Sequence, residues 1–133
     1  MATNFCHAAQ RTFRDAAILE KADRLASADH LFGLAAECAL KAILAGLGVI
    51  PRQGKPPKPY DVHMPKIWEQ FSAYVSGRSD YSLPAENPFE VWQIDHRYEA
   101  DETFTVARVQ KHKAGARRVA ELLDRALLRG QVP

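Results

Sequence analysis

An all-α bundle is the fold class this sequence predicts, on three observations. Between Leu31 and Leu47 every helical face is apolar or small, with charge only at Glu37 and Lys41. A helix that is apolar all round sits at the centre of a fold, not on its surface. The segments around it repeat their apolar residues every three or four positions, and no strand-like alternation, internal repeat or low-complexity tract interrupts them. A four- to five-helix up-and-down bundle is the expected architecture, with residues 1–133 as one domain.

The first helix is expected over residues 4–24. Phe5, Ala9, Thr12, Ala16 and Leu19 recur at helical spacing, and Ala22 extends the seam. Ser27 is the expected N-cap of the second, central helix, and a short spacer favours antiparallel packing of the two, one long bent helix being the alternative. Glycines at 46 and 48 stop that helix. Its two charges lie four residues apart with the glutamate first, the favourable order on one face. A buried carboxylate needs a cation or donors, so Glu37 is expected to pair with Lys41 or with Arg97.

Residues 49–61 carry Pro51, Pro56, Pro57 and Pro59, which exclude a helix, and Arg52, Lys55 and Lys58 make the loop basic. A third helix follows, with Asp61 as its cap, His63 at its entry and Met64, Ile67, Trp68, Phe71 and Val75 as its apolar stripe. Asn87-Pro88 reads as a cap that opens a short helical turn through Trp92. The last helix is expected from Thr105 to Arg129, with Val106, Val109, Ala116, Val119, Leu123 and Leu127 facing the core.

The net charge of +2 is too small to imply nucleic acid, but charge is unevenly spread. Residues 79–104 hold seven acidic side chains against Arg97, while residues 105–130 hold seven basic ones against Glu121 and Asp124. This asymmetry either steers a partner or staples one part of the chain to another. Cys6 and Cys38 sit in helical patterns and are expected to be free thiols. Residues 1–10 lack the features of a secretory leader, and the charges and glycines of the second helix argue against a membrane span. A cytoplasmic location is the expectation.

The stretch Ala-Ala-Glu-Cys-Ala-Leu-Lys-Ala-Ile-Leu at 35–44, His63 after the proline loop, and Trp92 with Arg97-Tyr98 before the last helix resemble the HEPN domain family. The resemblance implies a small α-bundle, expected as a homodimer, of a kind found alone, paired with a nucleotidyltransferase or fused to larger proteins, so that a nucleotidyltransferase is a candidate partner. Many members are RNases or RNase toxins of toxin–antitoxin pairs. These use an Arg and a His, with four to six residues between them, near the start of a late helix. Here Arg97 has no His at that distance, Arg108 and His112 are one residue short of the pattern, and Arg24 and His30 lie at the first interhelix junction. A non-catalytic accessory module that binds nucleotide or RNA is therefore the first expectation. An atypical metal-independent endoribonuclease, using Arg97, His96, Arg108 or His112, is the alternative, and a pure interaction scaffold a third.

Ligand binding is expected at Arg97 as the anion anchor, with His96 and Tyr98 beside it, because a guanidinium, an imidazole and a phenol supply phosphate pairing, proton transfer and base stacking. Glu37 and Lys41 are expected to line a polar cleft or to satisfy each other. Arg108, Lys111, His112, Lys113, Arg117 and Arg118 crowd one helix, either as a stripe for RNA phosphates or as a solvated face. No metal site is expected, since the five histidines show no zinc-type spacing, and no cofactor motif is present.

Overall fold

A computed structural model describes residues 4–132, the side chains of Ser79 and Arg97 excepted. The described chain is all-helical: α1 (Phe5–Lys21), α2 (Leu25–Gly46), α3 (Lys66–Val75) and α4 (Val106–Leu128), with three short 3-10 turns at Ser79–Tyr81, Ile94–Tyr98 and Asp101–Thr103. The helix α2 touches α1, α3, α4 and the second and third of these turns, so the apolar rod is the hub of the fold.

The helix α1 opens on Asn4, whose side chain accepts from the His7 N–H at 2.9 Å. It ends earlier than its apolar seam suggests, because Asp23 adopts a left-handed φ of 60° and reverses the chain. Ala22 is consequently exposed. The chain re-enters helix at Leu25, with Arg24 in the cap position, so Ser27 lies inside α2 and does not cap it. Phe13 packs edge-on against Phe32 while Phe5 approaches Lys41, which makes α1 and α2 antiparallel. In contrast, α4 runs with α2: Asp29 meets His112 near one end, and Gly46 abuts Gln131 at the other. Residues 47–105 therefore form one long crossover that carries α3.

Every apolar residue expected on α3 is buried. Asp61 does not cap it; the N-cap is Pro65, and the first turn is closed by Ile67 N–H donating to the His63 carbonyl at 3.1 Å. The Asn87-Pro88 segment forms a turn, not a helix. Asn87 Oδ1 accepts from Phe89 N–H, and its amide donates to the Pro65 carbonyl, fastening the turn to the start of α3.

On α4, Thr105 caps the helix through the Arg108 N–H. Val106 points to solvent, contrary to the expected seam, and His112 takes a core position between Val109 and Ala116. Two glycines receive the crossover. A Cβ built on Gly33 would fall inside the Trp92 indole, and one on Gly115 would come within 2.6 Å of Pro88. Gly33 is thus a seat for Trp92, not merely an interruption of the helix. Gly33→Ala is expected to destabilise the protein by about 1–3 kcal/mol or more through overpacking. Denaturant unfolding checks this, and an unchanged midpoint contradicts the packing.

Candidate functional site

Two carboxylates, Asp29 and Glu37, are buried eight residues apart on α2, with Gly33 and its Trp92 midway between them. Each draws in a different part of the chain.

Glu37 lies at the centre of the first cluster. Its Oε2 accepts from Lys41 Nζ at 3.1 Å, one helical turn away on the face the sequence assigns to both. His63 Nδ1 stands 2.9–3.0 Å from both carboxylate oxygens, and the Met64 N–H donates to Oε1 at 3.3 Å. A carboxylate only accepts, so His63 carries a proton on Nδ1 and turns Nε2 away from Glu37. The histidine side chain is 54% exposed although its partner is buried. Glu37 and Lys41 therefore lie beneath the surface and orient His63.

The second cluster is deeper. His112 Nδ1 donates to Asp29 Oδ1 at 2.6 Å with both side chains fully buried, and the imidazole stacks on Phe89. Arg108 Nε lies 3.8 Å from Asp29 Oδ2. The other end of that guanidinium donates to His96 Nδ1 at 2.6 Å and to the Thr103 carbonyl at 3.3 Å. The Gln93 N–H also points at His96 Nδ1, at 3.3 Å. Two donors facing Nδ1 make it the acceptor, so the His96 proton sits on Nε2, toward Glu99 at 3.5 Å. Trp92 Nε1 donates to the Asp29 carbonyl at 3.1 Å, and His30 stacks on the same indole.

The sequence candidates are thus distributed over two sites. Arg108 and His112 converge on Asp29, and no group of a ligand reaches the buried His112 ring. His96 is engaged at Nδ1 by Arg108. Tyr98 stands 76% exposed on the Ile94–Tyr98 turn. The Arg97 side chain lies outside the described residues, so its expected roles as anion anchor and as partner of Glu37 fall there as well; the described partners of Glu37 are Lys41, His63 and Met64. Asp29 and His63 were not among the expected site residues. The signal for the first was a histidine at position 112 in an apolar register of the last helix, which calls for a buried acid.

The acidic crossover is stapled to the basic helix. Lys111 meets Glu86 at 3.8 Å, Arg129 meets Asp80 at 3.4 Å, and Arg108 approaches Glu99 at 4.0 Å. Lys113 is held by Glu20 of α1 at 2.6 Å. Arg117 and Arg118 are exposed. Beside α4 a groove of about 370 Å³ is lined by Trp68, Pro84, Pro88 and Gly115 together with Lys111, Arg118 and Glu86. Among the described residues no group of three or more His, Cys, Asp or Glu could hold a metal ion, and no helix is long and apolar enough to cross a membrane.

Cys38 lies next to Glu37 on α2. Burial, helped by the Glu37 charge, pushes its thiol up to about 11, against smaller opposing effects of Lys41 and Arg11. No known family model, curated protein or solved structure matches this chain.

Two outcomes follow. Asp29→Ala leaves the buried His112 imidazole without its acceptor and removes the carboxylate 3.8 Å from Arg108 Nε, and is expected to lower stability by about 3–5 kcal/mol; a loss under about 1 kcal/mol in urea unfolding contradicts the pairing. The folded state holds the Cys38 proton at pH values where the unfolded chain, near its ordinary 9.0, releases it. Stability is therefore full below about pH 9 and falls as pH rises toward 11. Cys38→Ser is expected to remove that part of the alkaline decline, and an identical profile contradicts it.

Proposed function

We propose that this chain is an accessory module of HEPN type that binds nucleotide or RNA through phosphate contacts, as a homodimer beside a nucleotidyltransferase-type partner. The observation that carries the non-catalytic part is the engagement of Arg108 and His112 by Asp29. A general base must reach the proton it abstracts, and an imidazole with no exposed surface does not. What the last helix offers to a ligand is charge, with Arg117 and Arg118 in solvent and Lys111 held only by a loose, exposed ion pair.

The groove beside α4 supports the same function. Its lining by Trp68 and two prolines offers apolar surface to a base, and Lys111 and Arg118 in the same lining offer charge to the phosphate. The exposed ring of Tyr98, with Arg97 before it, is a second surface on which a base stacks.

Fluorescence anisotropy with a labelled single-stranded oligoribonucleotide tests the proposal. Affinity is expected to fall steeply between about 50 and 200 mM salt. Replacing Lys111 and Arg118 together by alanine is expected to flatten the slope of log K against log salt by about 1.4, as for two lost phosphate contacts on a single strand. A slope unchanged by that double substitution contradicts the groove. RNA cleavage in EDTA that disappears in His112→Ala or His96→Ala overturns the accessory role in favour of a ribonuclease.

A further inference from the structure

The imidazole of His63 and the basic loop before it are absorbed neither by the groove nor by the Asp29 cluster. We propose that His63 Nε2, backed by Glu37 and flanked in the sequence by the cations of residues 52–66, forms a second site, specific for a phosphate monoester such as the end of a nucleotide or of a 5′-phosphorylated RNA. The inference rests on the proposal that this chain takes phosphate-bearing ligands.

Three observations support it. The first is orientation. Glu37 grips Nδ1 with both oxygens at 2.9–3.0 Å, and the Met64 N–H and Lys41 hold the carboxylate in turn. An imidazole tethered only to pack would be covered; this one is half-exposed and presents Nε2 in a fixed direction. The second is charge. Arg52, Lys55, Lys58 and Lys66 are all exposed, and none has an acidic partner among the described residues. Asp61 and Glu69 are the only acids between Arg52 and the end of α3. The third is restraint, since Pro56, Pro57 and Pro59 limit the conformations from which the loop must close on a ligand.

The chemistry selects a monoester over a diester. One proton shared between Nε2 and a phosphate oxygen makes the contact in either charge state. A neutral imidazole accepts it from P–OH, and an imidazolium donates it to P–O⁻. A monoester carries such a proton, with a second ionisation near about 6. A diester has no proton to offer a neutral imidazole, and one charge fewer to set against the loop cations.

The test uses the full chain with AMP, inorganic phosphate, and one oligoribonucleotide carrying either a 5′-phosphate or a 5′-hydroxyl. His63→Asn is the informative variant, because the asparagine amide supplies an N–H toward Glu37 but nothing in place of Nε2. Calorimetry is expected to show AMP and the 5′-phosphorylated RNA bound about tenfold more weakly by this variant at an unchanged Tm, and the 5′-hydroxyl RNA bound equally by both proteins. In the wild-type protein, AMP is expected to shift the His63 imidazole ¹⁵N signals, a readout independent of how well the variant folds. Unmoved His63 signals, or equal AMP affinity for both proteins, overturn the site. If RNA still binds through Lys111 and Arg118 with no dependence on His63, this inference alone fails. If no probe binds, the proposed function fails with it.

Discussion

Two carboxylates inside an apolar helix are the constraint on which this structure depends. Asp29 and Glu37 lie on α2, and a buried charge without partners costs several kcal/mol. Neither is satisfied within its own helix alone. Asp29 draws His112 and Arg108 from α4, and Glu37 draws His63 and the Met64 N–H from the entry to α3. Between them the notch at Gly33 admits Trp92, which donates to the Asp29 carbonyl. Three distant parts of the chain are thereby fixed in direction along one helix. Apolar packing supplies the cohesion, and these polar contacts decide which residue sits where.

That division explains how much of the structure could be read from the chain. Periodicity reports which face of a helix is apolar, so the centrality of α2, the stripe of α3 and the Glu37–Lys41 pair were all legible. It carries no information about contacts between segments. Asp29 and His112 are 83 residues apart, and Glu37 and His63 are 26 apart. Only the fold brings them together, so the first pair went unforeseen and His63 was expected merely to open a helix. The cap assignments at Ser27 and Asp61 failed for local reasons, whereas Asn87 does accept the Phe89 N–H. Asp23 takes a left-handed conformation that restarts the helix at Leu25, two residues before Ser27, and α3 begins at Lys66 with Pro65 in the cap position, beyond the reach of Asp61 as a cap.

The same geometry separates groups that hold the fold from groups that can meet a ligand. Arg108, His112 and His96 resemble catalytic residues in type, yet each is bound to another side chain of the chain itself. His63 is the reverse case, a residue of unremarkable sequence context that a buried carboxylate holds at the surface. Charge follows the same rule. Carboxylates of the acidic crossover and of α1 occupy part of the basic helix, while the proline loop keeps its cations uncompensated.

The most direct measurement is the tautomer of each histidine, read from ¹⁵N–¹H correlation spectra of the imidazole rings at neutral pH. With α2 carboxylates as the organising partners, His63 and His112 carry their proton on Nδ1, and His96 carries it on Nε2. Mixed tautomers at His63 and His112, of the kind a histidine shows when water is its only partner, would mean that Asp29 and Glu37 do not hold them and that the helices are arranged by apolar packing alone.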